Sequence, residues 1–339
     1  MNSSLDMNPR YIPRDTTSLC LVITCLLPTI LSHTLHEEGG EAFCRFCLCD
    51  RHSRVVSCDA AKNILLKVVT LPPWASTLHV SNLSSMHELP HFTYHPNLEV
   101  LRVNNCTNLR RAHSLALISL PNLVELNLAN NQMESLPREF LHPLKQLRIL
   151  NLAGNQLADM DLVDLSLHNK EDILEKLILD GNPLKLSSNS SFPLPLTRQL
   201  SMSNCGIEKL VADRIVIQAS ELCGQIEREC RSIRLRSGFW GGLETLDISH
   251  NPLTTLNAAI LPLLSNLTAL KMSYTRVGTD LLSWVTQPTT RCRHLDISHA
   301  RVLPFEPQPL PAAFHFISLS VSRSAPRARW NYCGGELEW

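Results

Sequence analysis

The chain has 339 residues, 44% hydrophobic and 18% charged, with 31 basic and 31 acidic side chains. That balance excludes the electrostatic footprint of a nucleic-acid binder and a polybasic membrane patch. Aromatic residues make up only 5%, so leucine rather than ring packing has to build the core.

The first predicted element, residues 1–34, is a secretory signal. Arg10 and Arg14 precede an apolar run over residues 19–31, and Ser32 and Thr34 are small residues suited to cleavage. Pro28 interrupts the run, which is short for a transmembrane helix; a signal anchor is the alternative, and Met7 is an alternative start. No later run of about twenty apolar residues predicts a membrane span. An acidic link (Glu37, Glu38, Glu41) then leads to Cys44, Cys47, Cys49 and Cys58, spaced C-x2-C-x-C-x8-C. Four cysteines this close can form two disulfides or ligate zinc. Behind a secretory signal, disulfides are the expectation.

Downstream, one motif recurs at a spacing near twenty-four residues. Leu123, Leu126, Leu128, Asn131 and Met133 are followed by Leu147, Leu150, Leu152, Asn155 and Leu157, which is L-x-x-L-x-L-x-x-N-x-L written twice. A degenerate first copy has Leu78 and Val80, and a second has Leu98, Leu101, Val103 and Cys106. After the perfect pair come Leu174, Leu177, Leu179, Asn182 and Leu184, then Leu200, Met202, Cys205 and Ile207. The seventh copy is Leu243, Leu246, Ile248, Asn251 and Leu253, and the eighth is Leu267, Leu270, Met272, Thr275 and Val277. The ninth has Cys292, Leu295, Ile297, Ala300 and Val302, and a weak tenth has Phe316, Leu319 and Val321. Leucines at positions 1, 4, 6 and 11 would point inward, and the asparagine at position 9 can pair backbone groups that turn away from the strand. One coil cannot bury its apolar face alone, so the motif predicts a series of stacked coils.

This pattern resembles the leucine-rich repeat. The cysteine cluster resembles the N-terminal cap of extracellular leucine-rich-repeat proteins such as Slit, the Toll receptors and the small leucine-rich proteoglycans. The resemblance implies an α/β solenoid, a horseshoe with parallel strands on its concave face, irregular or short helical returns and an N-terminal disulfide cap. It also implies the pairing Cys44–Cys49 and Cys47–Cys58. The domains expected are a cap at 35–71, a solenoid at 72–330, and the start of a C-terminal cap at 331–339. That last stretch, N-Y-C-G-G-E-L-E-W, resembles the family's N-x-C-x-C-x-L-x-W opening, with Gly335 in the second cysteine's place. It reads as a truncated or degenerate cap. Between the sixth and seventh copies the step doubles, and residues 211–242, with Cys223, Cys230, Arg231, Arg234 and Arg236, carry no motif. A decayed repeat, a protruding loop and translated non-coding sequence are the three readings of that segment.

Two constellations hint at catalysis. His87-Glu88-Leu89-Pro90-His91 matches H-E-x-x-H, a zinc-peptidase motif that needs a helix. Pro90 would break that helix, so a zinc peptidase is only a remote alternative. Asp247-Ile248-Ser249-His250 and Asp296-Ile297-Ser298-His299 each put Asp, Ser and His together, but neighbouring strand residues alternate faces and do not converge as a triad does. No phosphate loop or nucleophile elbow is present. The expectation is therefore no enzyme, no catalytic residue, no metal and no cofactor. Cys106, Cys205 and Cys292 sit in motif positions and read as core residues.

Partner recognition is expected on the concave face. The residues between positions 4 and 6 form a ladder: Arg102, Asn127, Asn151, Ile178, Ser201, Asp247, Lys271 and Asp296. Its last members alternate in charge, and Tyr274, His250, His294 and His299 extend it. N-glycosylation sequons begin at Asn82, Asn105, Asn189 and Asn266, besides Asn2. Glycans at Asn82 and Asn105 would crowd the first two coils, which favours the seventh to ninth coils as the contact surface. The predicted function is a non-enzymatic, secreted or cell-surface module for extracellular protein ligands, in adhesion, receptor signalling or recognition. A matrix protein of small-proteoglycan type is the alternative, and Ser237-Gly238 is its only attachment-like run.

Overall fold

In the computed structural model, the described residues are 40–59, 67–158, 165, 167, 173–184, 196–212, 232–235, 241–256, 263–277, 291–300 and 318–320. The signal, Asn189, Cys223, Cys230, Phe316 and the 331–339 stretch lie outside them. A 3-10 segment, Gly40–Arg45, leads into β1 (Leu48–Asp50) and β2 (Val55–Asp59). Then come β3 (Val68–Val69), β4 (Thr77–Ser81), β5 (His91–Phe92), β6 (Val100–Asn104), β7 (Glu125–Asn127) and β8 (Ile149–Asn151). They are followed by β9 (Ile173–Ile178), β10 (Leu196–Ser201), β11 (Lys209–Ala212) and β12 (Ser232–Leu235). The last are β13 (Thr245–Asp247), β14 (Thr255–Leu256), β15 (Ala269–Lys271), β16 (His294–Asp296) and β17 (Ser318–Ser320).

Twelve of these strands make one sheet, in the order β1-β2-β4-β6-β7-β8-β9-β10-β13-β15-β16-β17. Apart from the antiparallel β1–β2 pair, neighbours run parallel and in step with the motif. Leu78 faces Leu101, Leu101 faces Leu126, Leu126 faces Leu150, and Leu150 faces Leu177. The same position continues through Leu200, Leu246, Leu270, Leu295 and Leu319. Equivalent leucines therefore stack, and those of coils two to nine are almost completely buried. Each such burial stabilises by about 1.5–3 kcal/mol.

The position 9 asparagines close the backbone account. Asn131, Asn155, Asn182 and Asn251 each donate to the carbonyl three residues back and to a carbonyl of the preceding coil, at 2.8–2.9 Å. Their Oδ1 atoms accept amide protons from that preceding coil: Cys106, Met133, Leu157, and both Cys205 and Ile207. Where the slot holds another residue, part of this set is reproduced. Thr275 Oγ1 donates to Met272 O at 2.8 Å, and Cys205 Sγ to Leu179 O at 3.2 Å.

Among the described residues there is no α-helix, so the returns that are described are turns and short strands. Prolines in them, such as Pro72, Pro73, Pro90, Pro137 and Pro143, oppose helix. Disulfides Cys44–Cys49 and Cys47–Cys58 staple the N-terminal end. The cap does more than cover the core. Its β2 pairs in parallel with β4, and Val56 and Cys58 stack on Leu78 and Val80 as an extra, unforeseen coil.

The doubled step is resolved by register. β10 pairs directly with β13, Leu200 opposite Leu246, so no coil lies between the sixth and seventh. Among the described residues the added chain contributes β12, which pairs with β11 in a second parallel sheet of order β12-β11-β14.

Candidate partner-binding surface

Side chains at positions 2, 3 and 5 leave the core and line the strand face, one row per position across successive coils. Near the N-terminal end these rows are internally satisfied. Arg102 makes a bidentate pair with Glu125 (Nε–Oε1 2.7 Å, Nη2–Oε2 3.1 Å), and its Nη1 donates to His79 Nε2 at 3.2 Å. Burial, reinforced by the Arg102 charge and opposed by Glu125, holds the His79 imidazole below its ordinary value. Position 2 carries two further pairs, Arg148–Glu175 at 3.5 Å and Arg198–Glu244 at 3.0 Å. Both are well exposed, so each is worth at most about 1 kcal/mol. Only Arg102 of this set was singled out in the sequence; the signal for the two position 2 pairs was opposite charge at one motif position in consecutive coils.

The position 5 row is less open than expected. Asn127, Asn151, Asp247 and Asp296 turn their Oδ1 atoms onto the amide two residues on, at 3.0–3.1 Å. Asp296 also accepts from Ser298 Oγ at 2.6 Å. Asp247 Oδ2 lies 3.8 Å from Lys271 Nζ. These carboxylates therefore hold the turn that leaves each strand. Asp296 and Ser298 do meet, being two apart, but the ring of His299 is engaged elsewhere.

That engagement is at position 8, immediately before the asparagine slot. The residues there are Asn82, Asn105, Asn130, Gly154, Gly181, Asn204, His250, Tyr274 and His299, all left-handed with φ from 54° to 68°. The turn demands this conformation, which glycine and asparagine adopt at little cost. A bulky ring there costs about 1–2 kcal/mol. Position 8 amides donate to position 7 carbonyls of the next coil, as Asn204 to Ser249, His250 to Ser273 and Tyr274 to Ser298, at 2.8–3.0 Å. That bonding fixes coil spacing near the strand repeat of about 4.8 Å, which suits offset ring stacking. Tyr274 lies between the two imidazoles, with centroids 4.5 Å from His250 and 4.4 Å from His299 and planes inclined by 16° and 18°. The three rings are exposed, Tyr274 by 52%. His294 does not join them; it lies exposed at position 3 on β16.

The H-E-x-x-H reading fails on geometry. His91 is in strand β5, paired with β3, and no residue from 87 to 91 is helical. The two histidines therefore lack the shared helix face the motif requires, and the zinc-peptidase alternative is withdrawn. Cys106, Cys205 and Cys292 are buried. Burial raises all three thiols, Cys205 to about 12 and Cys292 to about 11. Of the described sequons, Asn82, Asn105 and Asn266 are exposed. Asn82 Nδ2 donates to Asp59 at 2.7 Å and Asn266 Nδ2 to the Gly241 carbonyl at 2.7 Å.

Family models described as Leucine rich repeat match residues 96–157 and 242–264. With the stacked leucines and the asparagine ladder, this decides the fold. It is a leucine-rich-repeat solenoid. Among solved structures, human 5T4 (Wnt-activated inhibitory factor 1, trophoblast glycoprotein) covers 75% of this leucine-rich-repeat chain and 89% of its own, with TM-score 0.52 and 18% identity. That likeness is one of fold. Chaoptin of Drosophila melanogaster is 36% identical over 75 residues, 22% of this chain and 5% of chaoptin. Leucine-rich repeat and WD repeat-containing protein 1 of Mus musculus is 33% identical over 131 residues, 35% of this chain and 19% of that protein. The chain thus spans a small part of these curated relatives.

Proposed function

We propose that this chain is a non-enzymatic extracellular protein-binding module of adhesion or receptor type, and that the strand face and its position 8 edge in the seventh to ninth coils receive the partner. The carrying observation is the His250–Tyr274–His299 stack, three exposed rings held where the first six coils have asparagine or glycine. Strained, exposed rings carry a folding cost, and contact with a partner is what gives them a use. Lys271 and His294, both exposed, adjoin this edge, and Asp247 and Asp296 shape it.

Several features support the extracellular part of the reading. Disulfides such as Cys44–Cys49 and Cys47–Cys58 persist in oxidising compartments. Asn82, Asn105, Asn189 and Asn266 each begin an N-glycosylation sequon. Glycans at Asn82 and Asn105, on the same position 8 edge, would shield the early coils and leave the later ones free.

The test is a binding screen of the purified full chain against arrayed extracellular proteins, repeated with Lys271→Ala, Tyr274→Asn and His294→Ala together. Loss of a specific interaction by tenfold or more, with Arg148→Ala/Glu175→Ala unaffected, supports this surface. Retained binding in the triple variant overturns it.

A further inference from the structure

The stack also constrains the chemistry of what it meets. Both faces of Tyr274 are covered by imidazoles, and each imidazole has one face on Tyr274. The stack therefore presents ring edges and the outer imidazole faces, and its edges carry the phenol O–H and one N–H donor on each imidazole. No hydrogen bond joins the polar side-chain atoms of His250, Tyr274 or His299 to another described residue, so imidazole N–H and phenol O–H donors stand open. The neighbouring carboxylates are already committed. Asp247 and Asp296 serve the amides of Ser249 and Ser298, and Glu244 pairs with Arg198. Arg276 and Arg293 are exposed basic groups of the same three coils, as is Lys271, which lies 3.8 Å from Asp247 Oδ2 and stays open to solvent.

We infer that this edge anchors a carboxylate-bearing segment of a protein partner. The inference rests on the contact surface proposed above and specifies what that surface recognises. Charge-assisted bonds from imidazole, phenol and Lys271 to carboxylate oxygens are stronger than neutral ones. The stacked rings supply a rigid row of donors at coil spacing. A covered ring face has little room for a cation, so a basic segment fits less well. Asp247 and Asp296 interleave with the basic groups, a mixed pattern suited to a peptide of varied sequence rather than to a uniformly sulfated polysaccharide.

The experiment uses the purified full chain and a fluorescent peptide of alternating Glu and Ser, with a Lys-Ser peptide and a heparin oligosaccharide as comparison probes. The decisive variant is His250→Asn/Tyr274→Asn/His299→Asn. Asparagine is the native position 8 residue of four other coils, so this variant keeps the turn; its circular dichroism and thermal transition verify folding. A second variant, Lys271→Ala, removes one charge and leaves the rings. The expected result is saturable binding of the Glu-Ser peptide, weakened at least tenfold in the ring variant and severalfold in Lys271→Ala, with the Lys-Ser peptide at least tenfold weaker. Equal binding by wild type and a folded ring variant overturns the inference, as does absence of Glu-Ser binding or preference for the Lys-Ser peptide. Tighter binding of heparin than of the Glu-Ser peptide at this edge assigns it to a sulfated glycan instead. A partner from the array lost in the Lys271/Tyr274/His294 variant, with no acidic-peptide binding, leaves the contact surface standing and removes only this chemistry.

Discussion

Asn155 Oδ1 accepts the amide proton of Met133, one coil earlier, at 3.0 Å. The same side chain donates to the Leu128 and Leu152 carbonyls, each at 2.9 Å, and is itself buried. One residue thus fastens two coils where their backbones turn out of the strands. Asn155→Ala leaves the Met133 amide buried and unpaired, at about 1–3 kcal/mol before relaxation or entry of water, and takes one donor from each carbonyl, which keep those of Asn131 and Asn182. The expected net loss is about 2–4 kcal/mol, read from the midpoint shift in urea. A loss below about 0.5 kcal/mol would show that water replaces the side chain.

Gly154 and Gly181 share the left-handed position 8, at φ 64° and 68°, but their surroundings differ. A β-carbon at Gly154 would run into Asn130 Oδ1, whereas at Gly181 the nearest atoms are 3.7 Å away. Gly181→Ala should cost about 1–2 kcal/mol from backbone conformation alone. Gly154→Ala should cost more, by the displacement of Asn130. Paired denaturation curves check the ordering, and equal losses would contradict it.

Cys47 and Cys58 are bonded to each other and both buried, and Cys58 belongs to the strand that continues the sheet into the cap. Replacing both with alanine removes a link between a surface segment and the first core layer. A loss of about 2–5 kcal/mol is expected, with proteolysis of the first coil appearing before global unfolding. A variant whose first coil resists protease as the parent does would place the cap's contribution elsewhere.

His79 gives a pH dependence. Its folded value is held below the ordinary 6.5 by burial and then by the Arg102 charge. Above 6.5 both folded and unfolded chains carry it neutral, so its contribution is flat there. As pH falls below 6.5 the unfolded state binds the proton first, so stability declines until the lower folded value is passed. His79→Gln keeps an acceptor for Arg102 and should remove this decline. Chemical denaturation at pH 7.5, 6.0 and 5.0 measures it, and parallel slopes in both proteins would refute the assignment.

Much of the fold was legible in the sequence because position in the motif fixes direction. The inward set, from Leu98 to Ile297, and the asparagine slot follow from spacing alone, since coil spacing and backbone hydrogen bonding leave one way to stack them. The cap pairing followed from resemblance, and the structure agrees. What stayed hidden depends on contacts between residues far apart in the chain. The 46-residue step between Leu200 and Leu246 looks the same in sequence whether or not a coil stands between them, and only the direct pairing of β10 with β13 decides. Asp247 and Asp296 read as open ladder charges until their carboxylates are seen on backbone amides.

The sequence by itself determined the solenoid, its inward leucines and the absence of a shared helix face at His87 and His91. Tertiary structure alone decided that His250, Tyr274 and His299 form one stack and that His294 does not belong to it. The reason is physical. Periodicity encodes which way a side chain leaves the backbone, but ring contact depends on the left-handed turn at position 8 and on the distance between coils, and both are set only once the coils have stacked.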